Sequence, residues 1–195
     1  MRRHTVERTT RETRLLVEVD IDGRGRAEVE CPVGFFRHML ETLARHAAID
    51  LRMSLAGDFD VDPHHAVEDA GLALGEALRR ALGDKRGIRR AGCFCFPMDE
   101  ALTAAAVDLS GRTALRLEAK FRGRRCGDFE LSLLDDFFTA LAEGLAAALH
   151  LRVLYGRSDH HKVEALFKAL GRALREACAV DERAGDEIPS TKGVL

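Results

Sequence analysis

"HHAVEDAGLALGEALRRAL" (64–82) and "HHKVEALFKALGRALREAC" (160–178) decide how this chain folds, because they are two copies of one pattern. In each copy a histidine pair is followed by a glutamate four residues after the first histidine. Apolar residues then recur at helical spacing, as Leu72, Leu74, Ala77, Leu78 and Leu82 do in the first copy. On a helix His64 and Glu68 stand one turn apart on the same face, whereas His65 is rotated by about 100°. His160, Glu164 and His161 repeat that arrangement. One copy alone reads as a polar helix start, with Asp62 as cap, Pro63 in the first turn and acidic residues favoured by the dipole. Two copies, in a chain with only 8 histidines, point instead to two sets of metal ligands.

The repeat extends upstream. Ahead of the first histidine pair lies "VGFFRHMLETLARHAAIDL" (33–51), and ahead of the second lies "LSLLDDFFTALAEGLAAALHL" (131–151). Aligning "FFRHMLETLAR" with "LLDDFFTALAE" sets His38 opposite Asp136. Each half therefore offers a further ligand, an imidazole in one and a carboxylate in the other.

Composition sets the bounds. A chain of 195 residues with 46% hydrophobic residues is long enough for one sizeable core or two intimately packed halves. With 32% charged residues and no long apolar run, a membrane span is not expected. The basic start "MRRHTVERTTRETR" lacks the apolar stretch of a secretory signal. A net charge of −2, no Trp and one Tyr argue against nucleic-acid binding. The five cysteines (Cys31, Cys93, Cys95, Cys126, Cys178) form no disulfide framework and read as reduced cytoplasmic thiols. "CFC" (93–95) reads as strand with both thiols on one face.

In chain order, 13–30 alternate around "DGRG" and predict a β-hairpin. A helix is expected over 33–48, a strand in 49–61, and a helix from His64 that stops near Gly83. Strands follow in 92–108, 113–121 and 125–130, then a helix over 132–148, a strand over 149–155 and a helix over 159–179. The tail "DERAGDEIPSTKGVL" (181–195) has no periodicity and reads as a loose end, although "PSTKG" groups two hydroxyls and a lysine that suit a phosphate. The expected architecture is α+β. Two half-repeats (1–92 and 93–182) pack their helices between two outer sheets, and the tail 183–195 contributes to the substrate site. His4 and His150 have no partner pattern and read as structural.

The phrases "GFFRHML", "HHAVEDAGLALGEAL", "ALGDKRGIRR", "PMDEAL", "DLSGR", "HHKVEALFKALGRAL" and "PSTKGVL", in this order, resemble the imidazoleglycerol-phosphate dehydratase family over nearly the whole chain. The resemblance implies a cytoplasmic lyase of histidine biosynthesis that dehydrates imidazole glycerol phosphate to imidazole acetol phosphate. It also implies two Mn(II) ions per site and a homo-oligomer of 24 subunits, with sites built between them. By the i,i+4 rule one ion takes His64 and Glu68, joined by His161 and Asp136. The other takes His160 and Glu164, joined by His65 and His38. Imidazoles mixed with carboxylates suit several first-row cations, Mn(II) among them.

Carried over by position, the family's substrate contacts are Glu12, His38, His46, Arg90, Arg112, Lys168, Ser190, Thr191 and Lys192. The basic and hydroxyl groups suit the phosphate, and Glu12, His46 and Glu164 suit proton transfer. The C–H to be lost has no carbonyl beside it, so its acidity must come from the imidazole ring, which metals on both ring nitrogens would supply. Two positions depart from the family: Arg37 stands where an aspartate is usual, and Asp136 where a histidine is expected. Asp136 either ligates an ion or pairs with Arg37, which also has Asp135 within sequence reach. A dimetal hydrolase of a phosphorylated small molecule, or a metal-stabilised assembly protein with degraded sites, would share the ligand pattern.

Overall fold

In the computed structural model, which describes residues 1–193, the first half runs β1 (Arg3–Thr9), β2 (Thr13–Asp20), β3 (Ala27–Glu30), α1 (Gly34–Ala47), β4 (Asp50–Gly57) and α2 (His64–Leu82). The second half runs β5 (Ala91–Met98), β6 (Ala101–Asp108), β7 (Ala114–Glu118), a small pair β8 (Arg125–Cys126) and β9 (Phe129–Glu130), α3 (Leu133–Leu145), β10 (Ala148–Tyr155) and α4 (Asp159–Cys178). The two large sheets have the same order, β1-β2-β4-β3 and β5-β6-β10-β7. In both, the final pair is parallel, because a helix carries the chain from one strand back to the start of the next. α1 and α2 cover the first sheet and α3 and α4 the second, with α2 packed on α3 and α1 on α4. The result is the duplicated α+β sandwich, helices inside.

The expected hairpin over 13–30 does not form. The alternation in 13–20 is real, since Thr13, Leu15, Val17 and Val19 are buried and Arg14 is exposed. Its antiparallel partners, however, are β1 and β4, and β3 lies beyond β4. The "DGRG" segment is drawn over the start of β4, where Asp50 accepts the N–H groups of Arg24 (2.7 Å) and Arg26 (2.9 Å). The hairpin partner is the N-terminal segment, whose basic character hid its strand; along β1 only Val6 is buried. The stretch 92–108 is two strands, turned at Asp99, which takes φ 47. Helix α3 stops at Leu145 because Ala146 turns left-handed at φ 52.

Close helix packing fixes where the histidines stand. A Cβ at Gly71 would run into the carbonyl of Phe137, and one at Gly144 into that of Leu72, so the backbones of α2 and α3 touch. Beneath the histidines, Phe36, Phe137 and Phe167 are fully buried. Phe137 stacks on Phe167 at 5.6 Å and meets Phe36 edge-on at 5.2 Å, which ties α1, α3 and α4 together.

Candidate metal centre

Packing α1 against α4 brings three donors to one point. One ligand atom from each of His38, His160 and Glu164 lies within 4.8 Å of the others, the one such cluster among the described residues. On α4 the i,i+4 pair closes as the spacing requires, with His160 Nε2 3.0 Å from Glu164 Oε2, and His38 Nε2 approaches the same oxygen at 3.6 Å. One turn further on, Lys168 Nζ donates to Glu164 Oε1 at 2.9 Å and lies over the Phe96 ring. Burial is the largest influence on the Glu164 carboxyl and pushes it up. The hydrogen bond and charge of Lys168, with the His160 hydrogen bond and the charge of His38, together outweigh that, and Glu164 ends below the usual range. It is an ionised, largely buried carboxylate facing two imidazoles and an ammonium. These donors fit a divalent first-row cation, which would take the place of the hydrogen bond between His160 and Glu164.

The second group is more open. His64 Nδ1 lies 3.4 Å from Asp136 Oδ2, while His64 Nε2 lies 4.0 Å from Glu68 Oε2, so the two carboxylates face opposite edges of one ring. Asp136 thus turns to His64, and among the described residues no ion pair joins Arg37 to Asp135 or Asp136. The charge of Arg37 is felt instead at Asp128. Burial raises that carboxyl, but the N–H groups of Phe35 and Gly34, aided by Arg37, bring it below its ordinary value.

The second histidine of each pair joins neither cluster. His65 Nδ1 faces Asp58 (3.4 Å) and Glu12 (3.6 Å), and the Asp58 hydrogen bond is the main reason its pKa is raised. Asp58 Oδ1 is buried and has no partner among the described residues. His161 Nδ1 bonds Glu100 at 2.8 Å, and its Nε2 lies 3.6 Å from Asp99. That hydrogen bond from His161, followed by the Ser158 N–H, holds the Glu100 carboxyl down at about 2. Asp99 and Glu100 lie in "PMDEAL", which by itself assigns them no role, and Asp58 lies in none of the family phrases, so position in the fold is what marks all three.

The remaining candidates fall into two places. His46, two turns along α1 from His38, meets the Phe96 ring edge-on at 5.1 Å beside Lys168. Burial, then the charges of Lys168 and Arg172, push its pKa below the ordinary value. Arg90, with a left-handed φ of 69, forks onto Asp108 (2.7 and 3.1 Å) and donates to the Pro189 carbonyl at 2.9 Å. The tail is therefore anchored: the Gly87 N–H bonds the Glu187 carbonyl, and the Asp181 N–H bonds the Gly87 carbonyl. Ser190, Thr191 and Lys192 follow directly after the Arg90 contact. Arg112 is exposed in the turn after β6, a loop tied to Arg90 by the Leu109 N–H.

The sequence profile of the imidazoleglycerol-phosphate dehydratase family matches residues 31–174. The chain belongs to that family. A curated member from Koribacter versatilis is 52% identical over 195 residues, covering 100% of both chains, and one from Halorhodospira halophila is 54% identical over 190 residues, covering 97% of this chain and 96% of its own. The crystal structure of the family's enzyme from Pyrococcus furiosus, in complex with (S)-C348, superposes with a TM-score of 0.84 at 37% identity, covering 97% of this chain and 100% of that one. The Staphylococcus aureus enzyme gives 0.82 at 31% identity, covering 91% and 99%. Membership makes the chain a carbon–oxygen lyase, and none of its described helices is long and apolar enough to cross a membrane.

Proposed function

We propose that the chain dehydrates imidazole glycerol phosphate to imidazole acetol phosphate in histidine biosynthesis, using two Mn(II) ions in an assembly of 24 identical chains. The observation that carries this reading is the convergence of His38, His160 and Glu164, backed by Lys168, in a member of this family. Those three, with His65, would hold one ion; His64, Glu68 and Asp136, with His161, would hold the other. Bound there, the ions supply Lewis acidity to the substrate's imidazole ring.

The rest falls to this chain's own groups. Arg90 is pre-oriented by Asp108 and, with Arg112, Ser190, Thr191 and Lys192, binds the phosphate. Lys168 keeps Glu164 ionised. The neutral imidazole of His46 and the exposed carboxylate of Glu12 are placed to take up and return protons. All five cysteines are free, which fits a cytoplasmic location.

Helix length supports sharing between copies. The Arg90 N–H bonds the carbonyl of Ala177 near the end of α4, whereas Glu164 stands near its start. At a rise of 1.5 Å per residue they are about 20 Å apart along the axis, much further than a small phosphorylated imidazole reaches. The phosphate arm and the metal donors that serve one substrate therefore come from different copies. The outward-facing His65 and His161 fit the same arrangement.

The decisive experiment assays purified protein for imidazole acetol phosphate, before and after chelation and after Mn(II) return. Release of inorganic phosphate instead would favour the hydrolase reading, and well under two metals per chain the degraded assembly protein. Arg90→Gln should raise KM about 10–100-fold with little change in kcat, the scale of lost hydrogen bonds to a charged group. An unchanged KM would remove Arg90 from the phosphate site.

A pH measurement checks His46. Its folded pKa lies below the unfolded value of about 6.5. On acidification the unfolded chain therefore takes the proton first. Its contribution to stability is present above the unfolded pKa and is lost as pH falls through the folded one. Thermal unfolding of His46→Gln should depend less steeply on pH between about 5 and 7 than that of the wild type. Parallel curves would refute the shift.

A further inference from the structure

Glu12 and Glu100 hold the same position in the two halves. Each directly precedes the second strand of a hairpin, Glu12 before β2 and Glu100 before β6. Each carboxylate faces Nδ1 of the second histidine in its half's pair, at 3.6 Å for Glu12 on His65 and 2.8 Å for Glu100 on His161. There the likeness ends. Glu100 is clamped, because its Oε1 accepts the backbone N–H groups of Ser158 (2.6 Å) and Arg157 (3.1 Å) at the start of α4. Its side chain is 32% exposed. The Glu12 side chain is 55% exposed, and His65 lies nearer to Asp58 than to it.

We propose that Glu100 is a positioning residue, which fixes the His161 ring so that Nε2 is a preformed metal donor, while its duplicate Glu12 has been released from that task and is free to meet substrate. A neutral imidazole that donates Nδ1–H to a carboxylate carries its lone pair on Nε2, and the carboxylate makes that nitrogen more basic. Here the Nε2 edge opens towards Asp99, an anionic side that favours a cation. The backbone contacts of Glu100 give the ring one orientation, whereas among the described residues no backbone N–H bonds the Glu12 carboxylate. The duplication thus supplied two equivalent carboxylates, and the two have diverged. This inference rests on the dimetal reading above.

The test uses the full-length protein in its assembled form, titrated with Mn(II) after chelation. Glu100→Gln keeps an acceptor for the two backbone N–H groups but loses the charge facing His161. It should weaken Mn(II) binding at one of two positions by about 10–100-fold, the range for such outer partners, and leave the other position nearly unchanged. Glu12→Gln should leave both affinities near wild type. Glu100→Asp should recover part of the loss. Because Glu100 acts through His161, Glu100→Gln added to His161→Gln should cost little more than His161→Gln alone. Equal Mn(II) binding by wild type and Glu100→Gln, additive losses in the double variant, or equal weakening of both positions would overturn the assignment. A wild type that binds no Mn(II) would overturn the dimetal reading as well, so the two failures are distinguishable.

Discussion

Under the proposed dimetal reading, Glu164→Gln should hold one ion per chain in place of two and lower the dehydration rate by more than about 100-fold, beyond the range for losing an outer-sphere partner. The size of the effect follows from how many groups depend on this one carboxylate. His160 lies at 3.0 Å, Lys168 at 2.9 Å and His38 at 3.6 Å, and the side chain is only 11% exposed. Glutamine keeps the shape and one acceptor but removes the charge that a cation requires. It also leaves the Lys168 ammonium, 17% exposed, facing a neutral amide. Breaking a fully buried pair from one side costs about 3–5 kcal/mol, and partial exposure here reduces that to about 2 kcal/mol in metal-free protein. Thermal unfolding without metal and elemental analysis with it measure the two effects separately. Normal metal content together with normal rate would remove α4 from the metal centre.

The sequence was most legible where periodicity and duplication reinforced each other. Helices α2 and α4 and the face shared by His160 and Glu164 are written in the repeat of "HHAVED" and "HHKVEA", and α1 and α3 in the paired apolar blocks upstream of it. Strand partners were less so. Alternation in 13–20 says which side chains point inward but not which strand lies alongside, and the parallel pairing of β3 with β4 depends on α1 folding back between them. β1 buries one apolar side chain, too few to show a period. The tail was read as a loose end with a phosphate motif. Its anchorage comes from backbone bonds to Gly87 and from Arg90 reaching the Pro189 carbonyl, which no local pattern encodes. Glu100 lies in "PMDEAL", yet its role is not legible there, because it depends on comparing two hairpin turns whose sequences, "RET" and "DEA", share little beyond the glutamate.

Asp136 is the residue on which the proposed second metal position turns. Its carboxylate faces His64 Nδ1 at 3.4 Å, from the first turn of α3, where a negative charge is also favoured by the helix dipole. The dipole alone would make Asp136 worth roughly 0.3–1 kcal/mol of stability, and nothing to metal binding. The proposed ligand role makes a different set of predictions. Asp136→Ala should lose the ion shared with His64 and Glu68, lower the rate by more than about 100-fold as loss of a direct ligand exceeds that of an outer partner, and leave the His38–His160–Glu164 position nearly filled. Asp136→His should keep or strengthen metal binding, because an imidazole at that position restores the residue expected of the family. Asp136→Asn keeps the size of the side chain without its charge and should resemble Asp136→Ala in metal content. The pattern is the mirror image of Glu164→Gln, which empties the other position, so the double variant Asp136→Ala with Glu164→Gln should hold almost no metal. Equal loss of both ions in Asp136→Ala would mean that the residue supports the helix start rather than one ion. Full occupancy in Asp136→Ala would reduce its carboxylate to a partner of His64 and the α3 dipole.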